Sequence, residues 1–207
     1  MPNWCGNIVK IKGPKSERDR FFADMKAAVE ATYPDMTKDN KECFTFYYAE
    51  PMPSEYKATT SPTPWTADET REMAAKYNWS EETLQFKLEH CLTPDQSAFY
   101  DSLLEKYGSK NWYDWCCRNW GTKWDACHSS VGETPRMTVY CFDTAWGPPL
   151  EFAEKFVKKI LTDYKNLTVR WEYSLEGETG DWVLVDDKIV KESVAEILLG
   201  VSPIQID

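Results

Sequence analysis

Ten tryptophans in 207 residues, four of them between Trp112 and Trp124, constrain this chain more than any other feature. An indole buries a large area, but its N–H needs an acceptor once it is inside. The fold must therefore offer apolar depth and well-placed polar partners together. Asn111, Asp114, Asn119 and Asp125 lie in or beside the same run and are suited to satisfy backbone and indole groups. With 42% apolar residues, the chain can bury a core without disulfides or metal. Its length suits one large domain or two small ones.

The pattern along the chain is that of an α+β protein. Ile8 to Lys12 alternates as a strand and stops at Gly13-Pro14. Ser16 reads as the cap of a helix with Phe21, Phe22, Met25, Ala28 and Val29 at helical spacing, and Pro34 ends it. Cys43 to Tyr48 is rich in strand-forming types and predicts a second strand. The stretch from Pro51 to Pro64 reads as an exposed loop, followed by short helices. Thr66 and Thr93 open capping boxes, the second with Pro94 at the first helical position, and Gly108 and Gly121 mark helix ends. Strand chemistry returns near Trp124 and is clear in Met137 to Phe142. After the Trp146-Gly147-Pro148-Pro149 turn, a helix carries Leu150, Ala153, Phe156, Val157, Ile160 and Leu161. Leu167, Val169, Trp171, Tyr173 and Leu175 alternate as a half-buried strand. Trp182 to Val185 reads as its hairpin partner, and Val194 to Leu199 as a short closing helix. The order is β-α-β, a helical insertion, then β-β-α-β-β. That favours a split β-α-β sandwich with helices on one sheet face. The expected division is a core of residues 1–50 and 122–207, with residues 51–121 as a loop and helical insertion.

Net charge is −10. Residues 172–207 hold nine carboxylates against Lys188 and Lys191, so that segment carries −7 and the rest only −3. Binding to a nucleic-acid backbone draws on Lys and Arg, and this field repels phosphate while attracting a basic surface. No apolar run reaches membrane-spanning length. The Met1 to Asn7 opening lacks the basic and apolar regions of a signal peptide, and seven cysteines without framework spacing read as reduced thiols. A cytoplasmic protein is expected, with no membrane association.

Three stretches together carry a family likeness: Met1-Pro2-Asn3-Trp4-Cys5-Gly6-Asn7, the run from Asn111 to Ala126, and Ala145-Trp146-Gly147-Pro148-Pro149. They resemble the signatures of the YubB-like, phage Api-type family. The resemblance implies a ferredoxin-like core and a source in a phage or plasmid, and so a bacterial host cell. It implies no reaction and no catalytic residues, and residues 51–110 depart from it.

Cys116, Cys117, Cys127 and His128 are the nearest approach to a metal pattern. Adjacent cysteines on a helix point about 100° apart, however, and chelate poorly, so buried thiols are the simpler reading. Cys91 beside His90, and Cys127 beside His128, are thiol–imidazole neighbours in sequence only. Acid pairs such as Asp186-Asp187 are indistinguishable from solvated turns, and no phosphate-binding glycine motif is present. A non-enzymatic protein without a cofactor or metal is therefore expected. The first expectation is a mobile-element interaction protein that meets a basic host protein, plausibly a defence or nucleic-acid-processing factor, through Glu172, Glu176, Glu178 and Asp181. The alternative is a nucleotide or small-ligand sponge that stacks its ligand on Trp112, Trp115, Trp120 and Trp146 beside Arg118. The plainer reading of those rings is packing.

Overall fold

The computed structural model describes residues 3–34 and 42–174, with the strand backbone of 175, 178–185 and 188–193. The chain forms two compact units, Met1–Pro51 with Arg118–Asp207, and Met52–Cys117.

The first unit is a mixed α+β body. Its strands are β1 (Trp4–Lys12), β2 (Cys127–Glu133), β3 (Met137–Ala145), β4 (Thr168–Leu175), β5 (Glu178–Val185) and β6 (Lys188–Ser193), in the order β2-β3-β1-β4-β5-β6. Every neighbouring pair is antiparallel. Helices α1 (Lys15–Thr32) and α6 (Leu150–Asp163) supply the apolar layer.

The two-residue period of the strands decides which face is buried. Cys5, Val9 and Ile11 of β1, Tyr140 and Phe142 of β3, and Val169 and Trp171 of β4 are all inside. Phe21 and Met25 of α1 and Phe152, Phe156 and Ile160 of α6 are buried too, and ring contacts join Tyr140 to Phe21, Phe21 to Phe156, and Trp171 to Phe142 and Phe152. The intervening residues Trp4, Gly6, Ile8, Lys10 and Lys12 point the other way and are half-buried or exposed.

Arg18 is the large charged side chain inside this core. Its guanidinium donates to the Gly13, Thr134 and Pro135 carbonyls and to Thr138 Oγ1 at 3.1 to 3.4 Å. These bonds tie the first turns of α1 to the β2–β3 hairpin and satisfy the buried donors.

The sequence pattern is corrected at one element. Cys43 to Tyr48 is not a strand of the sheet: residues 42–45 join no ladder, and Phe46–Tyr48 is a 3₁₀ turn capped by the extended Thr45. The physical reason is that side chains take the backbone donors a neighbouring strand would have used. Ser129 Oγ accepts from the N–H groups of Cys43 and Phe44, and Asp125 Oδ1 accepts from Phe46 N–H at 2.6 Å. In return the Glu42 carboxylate accepts from the His128 and Ser129 N–H groups at 3.1 and 2.7 Å, on the edge strand β2. Two further differences are smaller. Helix α1 starts after Pro14 rather than at Ser16, and β6 lengthens the sheet beyond the expected hairpin. The expected helix at Val194 to Leu199 lies outside the described residues.

The second unit is helical, with α2 (Ala67–Tyr77), α3 (Glu81–Leu88), α4 (Pro94–Tyr107) and the start of α5 (Trp112–Trp120). Both capping boxes form: Thr66 with Glu69, and Thr93 with Gln96. Gly108 closes α4 in the left-handed conformation. Buried Tyr56, Tyr100, Leu103 and Trp115 are its core. No described helix is long and apolar enough to cross a membrane.

Candidate aromatic site on the sheet

Local rules place the first unit's exposed rings. Residues Trp4 to Asn7 alternate, so Cys5 and Asn7 go inward while Trp4 and Gly6 go outward. Trp4 is opposite Ala145, and the Trp146 N–H donates to the Asn3 carbonyl at 2.8 Å, extending the pairing by one step. Trp146 then turns with φ = 74°, a region that bulky residues rarely occupy. A buried donor chain holds that turn. Trp171 Nε1 donates to Asn7 Oδ1 (3.1 Å), Asn7 Nδ2 to Thr144 Oγ1 (2.9 Å), and Thr144 Oγ1 to the Gly147 carbonyl (2.7 Å).

The segment after α5 arrives from the other side. Gly121 has φ = 78°, and a Cβ there would run into the Glu151 carboxylate, so only glycine fits. Thr122 Oγ1 then anchors the segment to the Ala145 carbonyl at 2.9 Å. Lys123 follows, its Nζ 3.7 Å from the Trp124 ring centroid and 4.2 Å from that of Trp146. Trp124 lies 6.0 Å from Trp4, and the His128 ring meets Trp4 edge-on at 5.2 Å. His128 itself has φ = 53°, within the irregularity between Cys127 and Ser130 where β2 shifts register against β3. Its Nδ1 is 3.0 Å from Asp143 Oδ2.

The outcome is one surface where Trp4, Trp124 and Trp146 are 37%, 37% and 46% exposed, with the Lys123 ammonium over the last two and Trp4 beside Trp124. Two non-glycine residues with positive φ, His128 and Trp146, project into it. Backbone strain of this kind persists only where the surroundings enforce it and is concentrated at functional sites. The arrangement offers flat π-faces, one cation, and a carboxylate–imidazole pair with hydrogen-bonding capacity.

Two of the expected ligand-binding residues are buried. Trp115 and Trp120 are 4% and 2% exposed, so neither can offer a face to a base; this part of the stacking platform is corrected. Trp115 packs 6.0 Å from Tyr56 in the second unit. Trp120 packs 5.5 Å from both Phe46 and Tyr47 in the first and sends its indole N–H to the Glu50 carbonyl at 2.9 Å. Trp112 is half-buried in the second unit and Arg118 exposed in the first. Trp146 alone of that set belongs to the exposed cluster. Sequence reasoning does not single out Trp4, Lys123, Trp124, His128 and Asp143 as a ligand site. The signal for four of the six cluster residues lies in the Met1–Asn7, Asn111–Ala126 and Ala145–Pro149 motifs, which contain Trp4, Lys123, Trp124 and Trp146.

Of the expected acidic ridge, the side chains of Glu176, Glu178 and Asp181 lie outside the described residues. Glu172 is described and is matched by two cations: Lys10 Nζ at 2.5 Å and Arg170 Nε at 3.0 Å. Burial raises its carboxyl pKa, but the hydrogen bonds and charges of Lys10 and Arg170 outweigh that and leave it lowered. A carboxylate whose folded pKa is depressed contributes stability that is present above its unfolded value, about 4.3, and is lost as pH falls through the folded value. Glu172→Gln is therefore expected to cost roughly 0.5–1 kcal/mol at pH 7 and less at pH 3, checked by urea titrations at the two pH values. An equal loss at both would show that the ion pairs contribute nothing.

Two of the thiols, Cys5 and Cys127, are not primed for nucleophilic work. Burial pushes both Cys5 and Cys127 up to about 11, so both are protonated at neutral pH. Among the described residues, no group of three or more His, Cys, Asp or Glu side chains is placed to hold a metal ion.

The fold and the site define a mixed α+β protein with an aromatic and lysine surface cluster on its sheet. No family model matches the chain, and no curated protein matches it. Among solved structures it is similar to the crystal structure of the protein api92 from Yersinia pseudotuberculosis, of the family DUF1281. That likeness covers 99% of this chain and 100% of the other, at 10% identity and a TM-score of 0.43.

Proposed function

We propose that this is a non-enzymatic, ferredoxin-like binding protein, related to the phage Api-type family, that sequesters a nucleotide on the Trp4–Trp124–Trp146 cluster. The ferredoxin-like part of the reading is supported by the order of its first four strands, β2-β3-β1-β4, with α1 following β1 and α6 joining β3 to β4. The family part rests on the three motifs quoted from the sequence. The observation that carries the function is an exposed indole cluster in which Lys123 lies over Trp124 and Trp146 and Trp4 adjoins Trp124. Stacking on such faces holds bases of any kind, and an ammonium beside them favours an anionic ligand. Because the whole chain is acidic, a mononucleotide suits the site better than a long polyanion.

Calorimetric titration with a panel of nucleoside monophosphates tests this. Saturable binding is expected for the wild type. Trp4→Ala and Trp146→Ala should each weaken it by about 5- to 150-fold, the equivalent of ~1–3 kcal/mol per stacked base. No saturable heat with any nucleotide overturns the reading.

The acidic-surface reading is a separate proposal, supported by the −7 charge of residues 172–207. The pairing of Glu172 with Lys10 and Arg170 reduces what that residue adds to it. A basic host protein whose capture is lost on reversing Glu176, Glu178 and Asp181, but kept in Trp146→Ala, would favour it.

A further inference from the structure

Beside the tryptophans lies a gap in the open face of the sheet. Gly6, on the central strand β1, points outward between Trp4 and Ile8 and stands opposite Asp143 on β3 and Ser174 on β4. Among the described residues, a Cβ built on Gly6 would have only one neighbour within reach, Asp143 Oδ1 at 4.0 Å. The other carboxylate oxygen, Oδ2, is 3.0 Å from His128 Nδ1, and the His128 ring abuts Trp4 at 5.2 Å. The ring of Trp4, the empty position over Gly6 and the Asp143 carboxylate are thus contiguous. Asp143 is half-buried and Ser174 exposed, so among the described residues this face is open to a ligand.

We propose that Asp143 makes this site selective for guanine, an inference that rests on the nucleotide-binding reading above. A base stacked against Trp4 and lying over Gly6 presents an edge to Asp143. An ionised carboxylate only accepts hydrogen bonds, and its two oxygens match a pair of adjacent N–H donors. Guanine has such a pair on its Watson–Crick edge, N1–H beside the N2 amino group. Adenine and cytosine each place a ring acceptor beside their amino group, and uracil flanks its N3–H with two carbonyls. In those three the carboxylate meets a lone pair. His128 is a positioning residue here, holding the carboxylate through Oδ2 from its positive-φ position in the irregular stretch of β2. Gly6 is the residue that leaves room.

The test is calorimetric titration of the full chain with GMP, AMP, CMP and UMP. Guanosine and a uridine-rich RNA heptamer containing one guanine separate free base recognition from recognition within a strand. The wild type should prefer GMP over AMP by about 5- to 150-fold, the discrimination of one good bidentate pair. Asp143→Asn should reduce that preference to within about threefold by weakening GMP while AMP is unchanged. Gly6→Val, which adds a strand-favouring side chain in open space, should keep the thermal midpoint and lose binding of every nucleotide. Equal binding of all four nucleotides overturns guanine selectivity and leaves the nucleotide reading standing. A GMP preference that survives Asp143→Asn, or full GMP affinity in Gly6→Val, also overturns it. Absence of binding by every ligand overturns both readings.

Discussion

Replacing Asp125 with alanine is expected to cost about 3–5 kcal/mol of folding stability, because it strips the acceptor from a half-buried hydrogen-bond hub whose backbone donors, Phe46 and Ala126, are buried. Asp125 is the acceptor for four donors from separate parts of the first unit. Oδ2 receives Tyr33 Oη at 2.7 Å and Thr45 Oγ1 at 2.6 Å, and Oδ1 receives the Phe46 and Ala126 N–H groups at 2.6 and 2.7 Å. Burial pushes its carboxyl pKa up, against the pull of those donors. It also pushes the Tyr33 phenol up, with the neighbouring carboxylate adding to the effect. The hydroxyls of Tyr33 and Thr45 can rotate to other acceptors when the carboxylate is removed. The two backbone N–H groups cannot, and each is left unsatisfied at a cost of about 1–3 kcal/mol. Asp125→Asn keeps one carbonyl oxygen and gives the hydroxyls a donor to accept from, so a loss of about 1–2 kcal/mol is expected. Urea titration of the three proteins checks the order. Alanine and asparagine losing equally would show that charge, and not acceptor geometry, is what holds the segment.

Phe44→Ala should be comparably damaging, at about 3–5 kcal/mol. Phe44 is fully buried at the centre of the first unit's aromatic core. Its ring stacks on Phe142 at 4.6 Å and contacts Tyr140 and Phe156 at 5.4 Å each, with Phe46, Phe152 and Trp171 just beyond. Truncation leaves a cavity bounded by rings from β3, β4 and α6, whose backbones are pinned by the sheet and so relax little. Phe44→Leu refills most of that volume and should lose less than about 1.5 kcal/mol. The measurement is the shift of the denaturation midpoint at unchanged m-value. A Phe44→Ala loss below about 1.5 kcal/mol would mean that the core can collapse around the gap.

Both predictions concern the stretch that the sequence reads as a strand, and the reason it is not one separates local from tertiary information. Cys43 to Tyr48 has the aromatic and β-branched content of a strand, and Thr45 is extended. Propensity describes the backbone conformation and fitness for burial, and both expectations hold: Phe44 and Phe46 are buried. It says nothing about which acceptors will receive the N–H groups. Here Ser129 and Asp125, more than 75 residues away in sequence, received them before any strand could.

The aromatic cluster divides in the same way. A tryptophan-rich run signals packing or display equally well, because the indole suits both. Trp115 and Trp120 went inside and Trp124 stayed out according to which helix face or loop position each occupied. Trp4 and Trp146 are neighbours only because β1 and β3 pair in one register and the Trp146 N–H reaches Asn3. Asp143 reaches the gap at Gly6 by that same register, and His128 reaches Asp143 through a register shift that no local pattern announced.

What the sequence determined by itself was local and periodic. The strand alternation around Ile8, Val139 and Trp171, the helical face of Phe156 and Ile160, the two capping boxes and the glycine stops all depend on contacts within a few residues, so the chain spells them out. Tertiary structure alone decided which rings were displayed, which acceptors closed the edge of β2, and which side chains came to surround Lys123. Those outcomes depend on strand register and on hydrogen-bond competition between segments far apart in the chain, and no window of sequence contains both partners.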